Sequence, residues 1–120
     1  MLADNPIYNR SYTFARDVIR VARVVDQNVV TRSLIGQLVR SSTSIGANIS
    51  EATFGASRKD FINKITIALK ESQESLYWLG LLTDAGYIKL SDAENLRAEA
   101  VAINKILSTI KIKSASKMPT

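Results

Sequence analysis

Apolar residues recur along this chain at steps of three and four, the spacing of one face of an α-helix, and no strand-like alternation is long enough to compete. The first stripe lies in residues 9–27, where Phe14, Val18, Val21, Ala22 and Val25 share a face. Valines are indifferent helix formers, so this segment needs burial to hold it. The second, over residues 31–54, carries Leu34, Leu38, Ser41, Ile45, Ile49 and Ala52, with Thr31 as its start and Gly55 as its stop. The third, residues 57–85, opens on Ser57 and Asp60 at capping-box spacing and continues through Phe61, Ile65, Ala68, Ser72, Leu76 and Leu79. Gly86 closes it, because glycine accepts the left-handed conformation that other residues resist. The fourth, residues 91–113, has Ser91 and Glu94 as a second capping box and a stripe of Leu96, Ala100, Ile103, Leu107 and Ile110. The polar, basic tail beyond is expected to fray, and Pro6 and Pro119 fall outside the periodic segments.

Short connections between such segments force neighbours antiparallel. The expected architecture is therefore a single all-α domain over residues 1–120, an antiparallel up-down-up-down four-helix bundle. Apolar residues at 46% and charged residues at 22% suit one ordinary hydrophobic core. The chain has no Cys and no His, which removes disulfides, thiolate chemistry, the commonest metal ligand and the commonest general base. With neither a secretory signal nor a membrane-spanning run, a cytoplasmic protein with no membrane partner is expected. The net charge of +5 biases it toward acidic partners, nucleic acid among them.

Two helices carry faces that a monomer does not need. Between residues 31 and 54 the only charges are Arg32, Arg40 and Glu51, and the side away from the core stripe shows Gly36, Thr43, Ala47 and Ser50. Exposed helix faces are normally charged, so this small, uncharged back is read as a contact with another copy; the bland reading is a merely Ser- and Ala-rich surface. In the third helix Ile67, Trp78 and Leu81 lie roughly opposite the core stripe, and Trp is a frequent interface anchor. Together they predict a homo-oligomer in which Arg or Glu at Ala47 weakens assembly more than folding. The first helix presents Arg16, Arg20 and Arg23 in line, a spacing that suits a phosphate backbone. Asp17 and Asp26 dilute that field, no aromatic residue is read as interleaved for base stacking, and a solvated face is the bland alternative.

A catalytic site is harder to assemble. Glu71 and Glu74 stand one turn apart but lack the His that a di-metal bundle uses. Ser41, Ser42 and Ser44 have no base to make a nucleophile and read as small packing residues. No phosphate-binding glycine loop or nucleophile elbow is present, so no cofactor, no metal and no enzymatic activity are expected.

The run from Gln37 through Arg40, Ser41, Ser42, Thr43, Ser44, Ile45, Gly46, Ala47, Asn48, Ile49 and Ser50 to Glu51 resembles the signature of the four-helix-bundle 23S rRNA intervening-sequence proteins. Residues 57–61 and 67–79 continue the likeness, and Tyr12-Thr13-Phe14-Ala15 is similar to that family's first helix. Two positions depart from it: Ala52 and Glu71 stand where the family often has Gly. The resemblance implies a bacterial homopentamer without known enzymatic activity, some relatives of which are encoded within rRNA intervening sequences. A related accessory protein of diversity-generating retroelements is a basic pentamer that binds nucleic acid and a reverse transcriptase. On the motif, Arg40, Asn48 and Glu51 look like polar residues holding helix contacts, within or between subunits.

Three functions are open on the sequence. One is an oligomeric protein that binds RNA or DNA through its basic surface. Another is a protein–protein scaffold with an apolar docking groove near Trp78. The third, a hydrolase built on Glu71 and Glu74, has the least behind it.

Overall fold

The computed structural model describes residues 4–117, and in it those residues form four α-helices and no strand. Helix α1 spans Pro6–Ala22, α2 Val29–Thr53, α3 Arg58–Asp84 and α4 Leu90–Ser116. Each packs on two neighbours, α1 on α2 and α4, and α3 on α2 and α4, while the diagonal pairs stay apart. This is the expected up-down-up-down arrangement, an elongated body 50 × 26 × 24 Å across.

The core stripes hold. Phe14, Val18, Leu38, Ile45, Ile49, Ile65, Leu79, Ile103 and Leu107 are all buried, with Val21, Val25, Leu34, Phe61, Leu76 and Ile110 packed half-exposed against them. Leu82 and Ile88 join the core without having been part of any stripe. The core is also partly polar. Ser75 Oγ donates to Ser41 Oγ at 2.9 Å between α2 and α3, and Asn104 Nδ2 donates to Ser72 Oγ at 3.0 Å between α3 and α4. Such pairing is what makes buried hydroxyls tolerable among aliphatic neighbours.

Helix ends are where the sequence reading needs correction. Helix α1 starts earlier than expected, with Asn5 accepting the Tyr8 N–H at 3.0 Å and Pro6 at the first helical position, where its missing N–H is no loss. It also stops at Ala22, short of residue 27. Asn28 caps α2 by accepting from the Thr31 N–H at 2.9 Å, and the Thr31 hydroxyl accepts from the Asn28 N–H at 2.9 Å and donates to the Asp26 carbonyl at 2.7 Å. That reciprocal box claims the segment the first helix would have used. At α3, Ser57 accepts from the Asp60 N–H at 3.1 Å as expected. The second expected box fails: α4 is capped at Lys89, two residues before Ser91, and has no side-chain cap hydrogen bond.

Gly86 takes φ +87° and ends α3 with the Tyr87 N–H bonded to the Leu82 carbonyl and the Gly86 N–H to the Thr83 carbonyl, a Schellman closure. Gly55, by contrast, is not left-handed, and α2 ends instead on Phe54 at φ −103°. Helix α4 runs on to Ser116, so the part of the tail expected to fray is helical as far as Ser116, and Pro119 lies outside the described residues.

Candidate functional site

The most developed concavity is a groove of about 540 Å³ between α1 and α2. From α1 it takes Tyr8, Ser11, Tyr12, Ala15 and Ile19, followed by Arg16, Arg20 and Arg23. From α2 it takes only Thr43, Gly46 and Ala47. Small residues on one wall are what open it. A Cβ placed on Gly46 would sit 3.8 Å from the Ser11 Cβ, so the two helices approach closely there and leave a furrow above.

The groove therefore unites two sets of residues that the sequence presented separately, the arginine line of α1 and the uncharged back of α2. Arg16 and Arg20 both reach Asp17, at 3.1 and 3.8 Å, whereas Arg23 has no ion-pair partner among the described residues. The charge dilution expected from Asp17 is thus real for two of the three; Asp26 forms no ion pair among the described residues. At the bottom, Ser11 is fully buried and its hydroxyl has no hydrogen-bond partner.

No aromatic residue stands between the arginines, but the groove brings one next to their line: Tyr12 lies one helical turn before Arg16 in the same groove and is 52% exposed. Tyr8 stands a further turn back, its ring centroid 6.3 Å from that of Tyr12 and tilted by 38°. In the sequence these residues form an i, i+4 series through positions 8, 12, 16 and 20, on the side of the helix away from the valine stripe.

The remaining candidates lie on the α2/α3 side of the bundle. Arg40 reaches across to α3, with Nη1 3.2 Å from Glu71 Oε2 and Nη2 2.7 Å from Glu74 Oε2. The hydrogen bond that Arg40 donates to Glu74, then the charge of Glu71, raise the Arg40 pKa above its ordinary value. Glu51 likewise pairs within the subunit, with Lys64 at 2.9 Å. The two carboxylates once weighed as a hydrolytic pair are thus engaged as a clamp on Arg40. The serine cluster is engaged too, since Ser42 and Ser44 donate to the Val39 and Arg40 carbonyls of their own helix. Asn48, expected to need a partner at the core edge, donates to the Ser44 carbonyl at 2.8 Å.

Around that clamp the surface is apolar. Ile67 and Leu81 are about two-fifths exposed, at 41% and 39%. Trp78 is half-buried against the core and stands edge-on to the exposed Tyr77, ring centroids 5.0 Å apart. Gly36 is open, with nothing near the position of a Cβ, and Ser50 is half-buried at the rim of α2. The furrow between α1 and α2 lies on the other flank of α2, and Trp78 does not line it. No group of acidic side chains among the described residues is arranged to hold a metal ion, and none of the described helices is long and apolar enough to cross a membrane.

A family model described as 23S rRNA-intervening sequence protein matches residues 3–109. The chain is also similar to a protein of unknown function from the S23 ribosomal protein family of Bacteroides thetaiotaomicron, known from a crystal structure. The two are 38% identical with a TM-score of 0.80, over 88% of this chain and 97% of the other. No curated protein matches the chain in sequence.

Proposed function

The chain belongs to the 23S rRNA-intervening sequence protein family, and from that premise we propose that it is a non-catalytic, self-assembling binding protein that engages nucleic acid through the α1/α2 groove. The observation that carries this reading is the placement of Arg16, Arg20 and Arg23 together along one open furrow, with Arg23 uncommitted to any carboxylate among the described residues. Guanidinium groups pair with phosphate oxygens in a geometry that ammonium groups do not reproduce, and release of condensed counterions supplies the affinity. Engagement of Glu71 and Glu74 by Arg40 supports the non-catalytic half of the reading, because both candidate acids already serve packing.

Thr43 and Ala47 stand on the groove wall, so a polymer and a sister copy would compete for them. Self-association is accordingly placed on the other flank, where Gly36, Ile67, Trp78 and Leu81 form an apolar surface around the Arg40 clamp. Five copies, in keeping with the resemblance described above, and a cytoplasmic location complete the proposal.

Binding is tested by titrating labelled RNA and DNA at increasing salt. Affinity is expected to be highest at low salt, with a log–log slope of about −2 for three contacts to a single strand. No measurable binding at low salt refutes the reading. Assembly is tested by light scattering, where Leu81→Glu is expected to shift the protein toward monomer and Ala47→Arg is not. Dissociation by Ala47→Arg would move the subunit contact into the groove and leave no room there for a polymer.

A further inference from the structure

We propose that the groove discriminates, taking single-stranded nucleic acid in preference to duplex by stacking a base on Tyr12 while Arg16, Arg20 and Arg23 hold the strand. This rests on the nucleic-acid reading above and adds what that reading leaves open, the form of polymer and the residue that selects it.

A phosphate grip alone needs only a basic ridge. Here the basic line continues into aromatic and apolar surface: Tyr12 stands half-exposed one turn before Arg16, and Ile19, 46% exposed, lies between the arginines. Each base of a single strand has a free π-face, worth stacking on an aromatic ring, whereas paired bases in a duplex keep theirs covered. Tyr8 stands beside Tyr12, ring centroids 6.3 Å apart and tilted by 38°, while Tyr12 remains 52% exposed. From Tyr12 to Arg23 the helix rises about 16 Å, enough for a few nucleotides in register with the arginines.

The acidic residue beside the arginines, Asp17, already binds two of them from the far flank and so favours a guest that approaches from the groove side, where Arg23 is free.

The test compares fluorescence anisotropy of an oligothymidylate about twelve nucleotides long with that of a mixed-sequence duplex of equal length at low salt, for wild type, Tyr12→Ala, Tyr12→Phe and Arg23→Ala. Wild type is expected to favour the single strand. Tyr12→Ala should weaken it about tenfold or more, with little change for the duplex, and Tyr12→Phe should remain within about twofold of wild type. Tyr12 is half-exposed, so these variants should keep the wild-type melting profile, and circular dichroism checks that they do. Arg23→Ala should lower affinity and flatten the salt slope by about 0.7. Equal binding of both probes, unmoved by Tyr12→Ala, overturns the stacking assignment while the nucleic-acid function stands. Binding of polyglutamate as tight as that of the single strand also overturns it, in favour of an acidic polypeptide guest. Failure of wild type to bind either probe removes the broader function with it.

Discussion

The two flanks of α2 are built from similar residues and finished in opposite ways. Toward α3, the polar groups are paired across the seam: Ser41 with Ser75, Arg40 with Glu71 and Glu74, Glu51 with Lys64. Toward α1, one hydrogen bond from Asn5 to Thr53 at 3.1 Å joins the helices at one end; farther along they touch through Ser11 and Gly46 and then part, with Ser11 unsatisfied and Arg23 unpaired among the described residues. A seam whose donors and acceptors are matched contributes to the stability of the fold. A furrow whose groups are unmatched does little for the fold and is free to serve a guest. The contrast separates the part of the bundle that holds it together from the part available for binding.

The largest effect should come from breaking the matched seam. Ser41→Leu removes the buried hydroxyl pair with Ser75, which keeps only its bond to the Glu71 carbonyl, and forces a larger side chain into a fully buried position, so it should cost about 2–4 kcal/mol in urea unfolding. A change of less than about 0.5 kcal/mol would mean that this seam is plastic and the contrast misdrawn. On the groove side the sign should reverse. Gly46→Ala places its new methyl group at ordinary contact distance from Ser11 and removes a helix-interior glycine, so stability should rise by up to about 1 kcal/mol. A lowered melting temperature would show the helices to be closer there than the 3.8 Å contact implies. The smallest effects fall on single polar groups. Arg40→Ala should cost less than about 1 kcal/mol, and less still at high salt, because Arg40 and Glu74 are both half in solvent. Ser11→Ala should be close to neutral, since it deletes a hydroxyl that bonds to nothing. A Ser11→Ala cost matching that of Ser75→Ala would erase the distinction between the flanks.

Much of the fold was legible beforehand because burial imposes a period. Residues such as Phe14, Ile45, Ile65 and Ile103 recur at helical steps, and all four are buried where the stripes put them. Helix ends were less legible. Capping is a contest between local hydrogen bonds, and Asn28 with Thr31 outbid the continuation of α1, while Ser91 and Glu94 had the right spacing at the wrong place. The site was legible only in halves. Arg16, Arg20 and Arg23 announced themselves, and so did Thr43 and Ala47, yet nothing in the one-dimensional pattern said that they face each other. Arg40 and Glu51 were recognised as polar residues that bridge something, but the identity of the bridge needed α3 alongside.

By itself, the order of residues determined that this chain forms four amphipathic helices in antiparallel succession around one core, because that follows from local spacing and short connections. It also determined the chemistry on offer: arginines, hydroxyls and small side chains, without thiol or imidazole. Only the tertiary structure decided which of those groups are consumed by the fold and which are left facing a guest. That outcome depends on the distance between side chains on different helices, such as Ser75 from Ser41 or Arg40 from Glu74, and distances across a bundle are set by how the helices pack and not by any interval along the chain.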